Sequence, residues 1–144
     1  MKCIVIEDEK IAAERLVKLI NQVDHSIVIS AVIQSVKKAV EWLNSNLAPD
    51  LIFMDIQLAD GLSFEIFEQT MVTSPVIFTT AYDEYALKAF KVNSIDYLLK
   101  PIDANELQYA LAKFHQSKEP AKNPTAVYET ILQSITHNYN TKFF

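Results

Sequence analysis

The sequence predicts an α/β fold in which a five-stranded parallel sheet carries helices on both faces. Short apolar runs alternate with stretches of helical periodicity five times along the chain, and that alternation argues for a parallel sheet. The runs are continuously apolar, as strands covered on both faces are. Right-handed crossovers leave few ways to connect five such units, and the flavodoxin-like order 2-1-3-4-5 is the obvious candidate.

The first strand is Cys3-Ile4-Val5-Ile6, which stops at Glu7-Asp8-Glu9. Ala12, Leu16, Leu19, Ile20 and Val23 then recur at helical spacing. Ser26 to Ile33, rich in Ile and Val, reads as strand two. Val36, Ala39, Val40, Leu43 and Leu47 mark a second helix, with Ser35 as its N-cap. Pro49-Asp50 breaks the chain, and Leu51 to Met54 is a third strand stopped by Asp55. A third helix is expected around Phe64 to Met71, and a fourth strand from Pro75 to Thr79. Asp83 to Val92 reads as a fourth helix and Ile95 to Leu99 as strand five. Asp103 opens a fifth helix with Leu107, Ala110, Leu111 and Phe114 on one face. Residues 1–118 are therefore one domain. Residues 119–144 read as a linker, opened by two prolines, in which 125–137 could form one more helix. The close on Tyr139, Phe143 and Phe144 leads us to expect a further domain beyond it.

Composition narrows the function. The 144 residues are 50% hydrophobic and 22% charged, enough apolar material for one core. There is one glycine, Gly61, where roughly ten are usual for this length. Walker loops, dinucleotide fingerprints and serine-hydrolase elbows each need more than one. The net charge of −5 arises before residue 119, where 11 Lys/Arg face 16 Asp/Glu. With no basic stripe there, direct nucleic-acid binding by these residues is not expected. Cys3 is the only cysteine, which excludes an internal disulfide and leaves a buried core role. No apolar run approaches the ~18 residues of a membrane span, and the start does not resemble a secretory signal. A reduced, cytoplasmic setting is expected. Trp42 is read as partly buried on the second helix, the phenylalanines at 53, 64, 67, 78, 90 and 114 as mostly core, and His25, His115 and His137 show no metal-ligand spacing.

In open α/β sheets, ligands bind beyond the carboxyl ends of the strands. There the sequence places Glu7 and Asp8 after strand one, Asp55 after strand three, Thr80 after strand four and Lys100 after strand five. Singly, each has an ordinary reading as a turn, a cap or a surface residue. Their coincidence at one sheet edge is what carries meaning. Clustered carboxylates repel, so one takes up a proton or all share a cation. Mg²⁺ fits best, being a hard cation that works with phosphate. The chemistry implied is phosphoryl transfer onto Asp55, with metal and lysine offsetting the developing charge.

These residues resemble a bacterial response-regulator receiver domain over about residues 1–118. The matching pieces are Ile6-Glu7-Asp8-Glu9, Met54-Asp55-Ile56, Thr80-Ala81 and Tyr97-Leu98-Leu99-Lys100-Pro101. The stretches 80–90 and 96–102 look like the LytR/AlgR (LytTR) subfamily, which joins a receiver to a C-terminal DNA-binding domain. The resemblance implies Asp55 as phospho-acceptor. It implies Mg²⁺ bound by Asp8, Asp55 and the Gln57 backbone carbonyl directly, and by Glu7 through water. It implies Thr80 and Tyr97 as a switch pair, Lys100 as a phosphate contact, and a cis bond before Pro101. Gln57 and Tyr82 would tune hydrolysis. The partners implied are a sensor histidine kinase, a second copy meeting through helix four, strand five and helix five, and DNA through the further domain. Glu7 stands where Asp is more frequent, Ala59 stands where proline is usual, and the loop Leu58 to Leu62 looks short. A haloacid-dehalogenase-type phosphatase also uses a strand-end Asp with Mg²⁺, Thr and Lys. It needs a second Asp where this chain has Gln57. An interaction module with a vestigial pocket is the remaining alternative.

Overall fold

The computed structural model describes residues 1–81 and 96–116. The expected helix at 83–92, Tyr82, Phe90, Ile95, the 119–144 linker and His137 lie outside them. In chain order the elements are β1 (Lys2–Ile6), α1 (Lys10–Val23), β2 (Val28–Ile33), α2 (Val36–Ser45) and β3 (Leu51–Asp55). Next come β4 (Gln57–Leu58), β5 (Gly61–Leu62), α3 (Phe64–Gln69), β6 (Val76–Thr80), β7 (Asp96–Leu99) and α4 (Ala104–Gln116).

The main sheet is parallel throughout, in the order β2-β1-β3-β6-β7. Setting aside the short pair β4–β5, this is the expected flavodoxin-like order. Side chains alternate across a strand, and both sets are apolar here. Ile4, Ile6, Ile52, Met54, Val76 and Phe78 pack with Val36 and Ala39 of α2 and with Ile66 and Phe67 of α3. Cys3, Val5, Leu51, Phe53, Ile77 and Leu98 pack with Leu16 and Ile20 of α1 and with Leu107, Ala110 and Leu111 of α4. The continuous apolar runs are thus two interleaved half-cores, one per face. Cys3 is fully buried, and burial above all pushes its thiol up to about 12.

Some boundaries differ from expectation. Helix α2 ends at Ser45, two residues short of Leu47, which is 93% exposed. The Asn46 side chain donates to the Trp42 carbonyl at 2.9 Å, and the chain leaves in extended conformation. Helix α3 ends at Gln69 rather than Met71, with Thr70 as its C-cap. The hairpin β4–β5 was not expected. Two-residue strands carry no readable periodicity, and Gly61, which opens β5, takes a φ of +149°, a region that side chains disfavour.

Register places the site. Asp55 pairs with Thr79, and Thr80 pairs with Leu99. Three strand ends and the Glu7-Asp8 turn after β1 therefore finish at one edge.

Candidate functional site

Each side chain is set by a short local network. The backbone of Glu7 is fixed by its N–H, which donates to the Ile33 carbonyl at 2.8 Å. Its carboxylate is almost wholly buried. One oxygen accepts from the Glu9 N–H at 3.1 Å, and the other accepts from Lys100 Nζ. Asp55 is the last residue of β3 and is buried. Its Oδ1 accepts from the Gln57 N–H at 3.3 Å and its Oδ2 from Lys100 Nζ at 3.0 Å. Lys100 follows β7, its N–H donates to the Thr80 carbonyl at 2.7 Å, and the Lys100–Pro101 bond is cis.

Carboxylate oxygens of Glu7, Asp8 and Asp55 lie within 4.8 Å of one another. So close a set repels itself when fully ionised. The Asp8 carboxyl is raised, first by burial, then by the hydrogen bond and the charge of Glu7. Burial alone would lower the Lys100 ammonium, but hydrogen bonds and charges from Glu7 and Asp55 outweigh it, and the net shift is upward. The pocket thus holds three acids and one firmly protonated base. Three hard oxygen donors converging from two chain segments suit a divalent cation of the Mg²⁺ kind. Ammonium bridging of two of them marks the place where positive charge belongs.

The structure thus brings Glu7, Asp8, Asp55 and Lys100 together. Thr80 is buried at the end of β6, on the strand beside Asp55. Tyr97 is half-buried on β7, packed against the α2–α3 half-core. Gln57 is exposed, its N–H turned to Asp55. Tyr82 lies outside the described residues. Of the histidines with an ordinary reading, His115 stands 3.5 Å from Asp24 Oδ2, linking the ends of α4 and α1. Sequence reasoning missed Asp60, whose carboxylate accepts from the Val36 and Lys37 N–H groups at 2.9 and 3.2 Å. An exposed Asp in a turn gives no sequence signal for a partner 24 residues earlier.

A family model described as the response regulator receiver domain matches residues 3–112. The chain is 38% identical over 122 residues to the sensory transduction protein LytT of Bacillus anthracis, covering 83% of this chain and 49% of that protein. It is 35% identical over 143 residues to the transcriptional regulatory protein LytR of Staphylococcus aureus, covering 97% and 56% respectively. It thus spans about half the length of the curated relatives it matches. Among solved structures, the response regulatory domain of protein mrkE from Klebsiella pneumoniae superposes with a TM-score of 0.66 at 31% identity, over 81% of this chain and 97% of that one. Sheet order, strand-end motifs and relatives converge: the chain belongs to the response regulator receiver domain family, among relatives of the LytT and LytR type.

Proposed function

We propose that this chain is a phospho-acceptor switch of a two-component system, carrying its phosphoryl group on Asp55. The observation that carries this reading is the convergence of the Glu7, Asp8 and Asp55 carboxylates within 4.8 Å, with Lys100 Nζ 3.0 Å from Asp55. An Asp55 oxygen attacks the phosphorus of a kinase phosphohistidine. The new P–O bond forms as the P–N bond breaks, and the imidazole leaves neutral, keeping the proton already on its other ring nitrogen. Mg²⁺ held by Asp8, Asp55 and the Gln57 carbonyl, with Glu7 through water, would supply charge neutralisation for the transfer. Lys100 is already placed on Asp55 Oδ2 and follows the charge onto the phosphoryl oxygens. The Thr80 hydroxyl donates to one of those oxygens, and Tyr97 moves into the space it vacates. Gln57 and Tyr82 tune hydrolysis of the phosphoryl group.

The output is a population shift toward a form that pairs with a second copy through residues 83–92, β7 and α4. Supporting that face are Leu99 and Tyr109, both exposed, and Lys113, which lies 5.3 Å over the Tyr109 ring and 3.7 Å from Asp96. Pairing would then bring together two DNA-binding domains joined through the 119–144 linker, in the cytoplasm. Among the described residues, no helix is long and apolar enough to cross a membrane.

Incubation with acetyl phosphate and Mg²⁺ tests the reading by intact mass. The native chain is expected to gain one phosphate and Asp55→Asn none. An equal gain in Asp55→Asn would refute the assignment.

A further inference from the structure

The loop after Asp55 is tied to a neighbouring helix by a carboxylate outside the strand-end motifs. Gln57-Leu58 pairs with Gly61-Leu62, leaving Ala59 and Asp60 at the apex of the hairpin. The base of the hairpin is anchored at both ends. The Ile56 N–H donates to the Thr79 carbonyl at 3.0 Å, and the Ser63 N–H donates to the Ile56 carbonyl at 2.8 Å. The Leu62 N–H donates to Glu65 Oε2 at 3.0 Å. At the apex, Ala59 leaves φ free where a proline would fix it.

What holds the apex is Asp60. Its two oxygens take the Val36 and Lys37 N–H groups, the first two of α2. A helix start leaves four N–H groups without intrahelical partners. Ser35 Oγ fills a third, that of Lys38, at 3.1 Å. Helix α2 therefore has its local cap from Ser35, and the Asp60 grip bears on where the hairpin sits. Both oxygens engage adjacent N–H groups, which fixes orientation as well as distance. The same hairpin carries Gln57, whose N–H reaches Asp55 Oδ1.

We propose that Asp60 is a positioning residue for the metal and phosphoryl site. By clamping the hairpin apex to the start of α2, it holds the Gln57 backbone beside Asp55. The inference rests on the reading of Asp55, Asp8 and Gln57 given under the proposed function.

The test is calorimetric Mg²⁺ affinity and thermal melting of the native chain, Asp60→Ala, Asp60→Asn and Ser35→Ala. Loss of a residue supporting a metal ligand typically weakens binding at least about tenfold. Asp60→Ala is expected to show that loss, and Asp60→Asn, which keeps one acceptor oxygen, an intermediate one. Ser35→Ala removes a cap from the same helix without touching the hairpin. It is expected to lower the melting temperature while Mg²⁺ affinity stays within about twofold, well short of that loss. If Asp60→Ala does not fold, Asp60→Asn carries the comparison. Asp60 variants that melt earlier but bind Mg²⁺ as the native chain does would overturn the proposal and leave a cap alone. A native chain that binds no Mg²⁺ fails differently, because it removes the site reading underneath.

Discussion

The Lys100 ammonium bridges Glu7 and Asp55, so its removal has consequences of opposite sign. In Lys100→Met the two carboxylates lose their counter-charge in a pocket where Glu7 is 3% exposed. Breaking such a pair by removing one partner costs about 3 kcal/mol, and urea denaturation in EDTA should read that loss. The same cluster, now without its ammonium, should bind Mg²⁺ more tightly, because a cation no longer competes for the oxygens. Phosphoryl transfer from acetyl phosphate should nevertheless slow, since the charge that follows the phosphoryl group is gone. Slower transfer together with weaker Mg²⁺ binding would contradict this account of the lysine. At this scale the sequence was informative wherever a residue type is chemically committed. Glu7, Asp8, Asp55 and Lys100 could be placed because the ends of apolar runs are readable. Asp60 could not, because its partners are backbone groups and backbone carries no residue code.

Among the elements, the hairpin β4–β5 depends most on one residue. At Gly61, φ is +149°, and an added Cβ would stand 2.1 Å from Glu65 Oε2. The Glu65 side chain can swing away, but it then releases the Leu62 N–H. Gly61→Ala is therefore expected to cost about 1–3 kcal/mol, mostly from backbone strain. Glu65→Ala, which loses only the hydrogen bond, should cost about 1 kcal/mol. Equal losses in urea denaturation would show that the contact, and not the backbone, is decisive. The sole glycine was informative in the sequence for what it excluded. Its positive φ was not visible, because neighbouring two-residue strands leave no pattern to bracket a turn. The longer elements were visible. Helix α1 buries Ala13, Leu16 and Ile20 at helical spacing, and Ser35 caps α2 as its position foretells. The end of α2 was misjudged because Leu47 keeps the apolar spacing after the backbone has left the helix.

Across the whole molecule, two carboxylates, exposed Asp60 and half-buried Asp24, tie elements on opposite faces of the sheet. Asp60 is lowered, chiefly by the Val36 N–H, and Asp24 is lowered, chiefly by the Ser26 hydroxyl, with His115 adding to it. A carboxyl lowered in the fold stabilises above its unfolded pKa of about 3.9, and that stability is lost as pH falls through the folded value. Asp8 is raised and has the opposite sign: its ionisation opposes folding, so the metal-free fold is relieved as pH falls through its pKa. The denaturation midpoint should therefore fall below about pH 4, and less steeply in an Asp24→Asn, Asp60→Asn double variant. Added Mg²⁺ should raise it more at pH 8 than at pH 5. An acid limb of unchanged slope in the double variant would assign the loss to other carboxyls. Both half-cores were legible because parallel strands show apolar residues to both sides, whereas the ties between elements were not. One of those half-cores hides Cys3, whose sulfur is sealed from solvent and held as a neutral thiol. A thiol so placed is inert. The folded molecule thus offers alkylating dyes a blank exterior, and a cysteine introduced on any outer helix face becomes a unique address for a spectroscopic label.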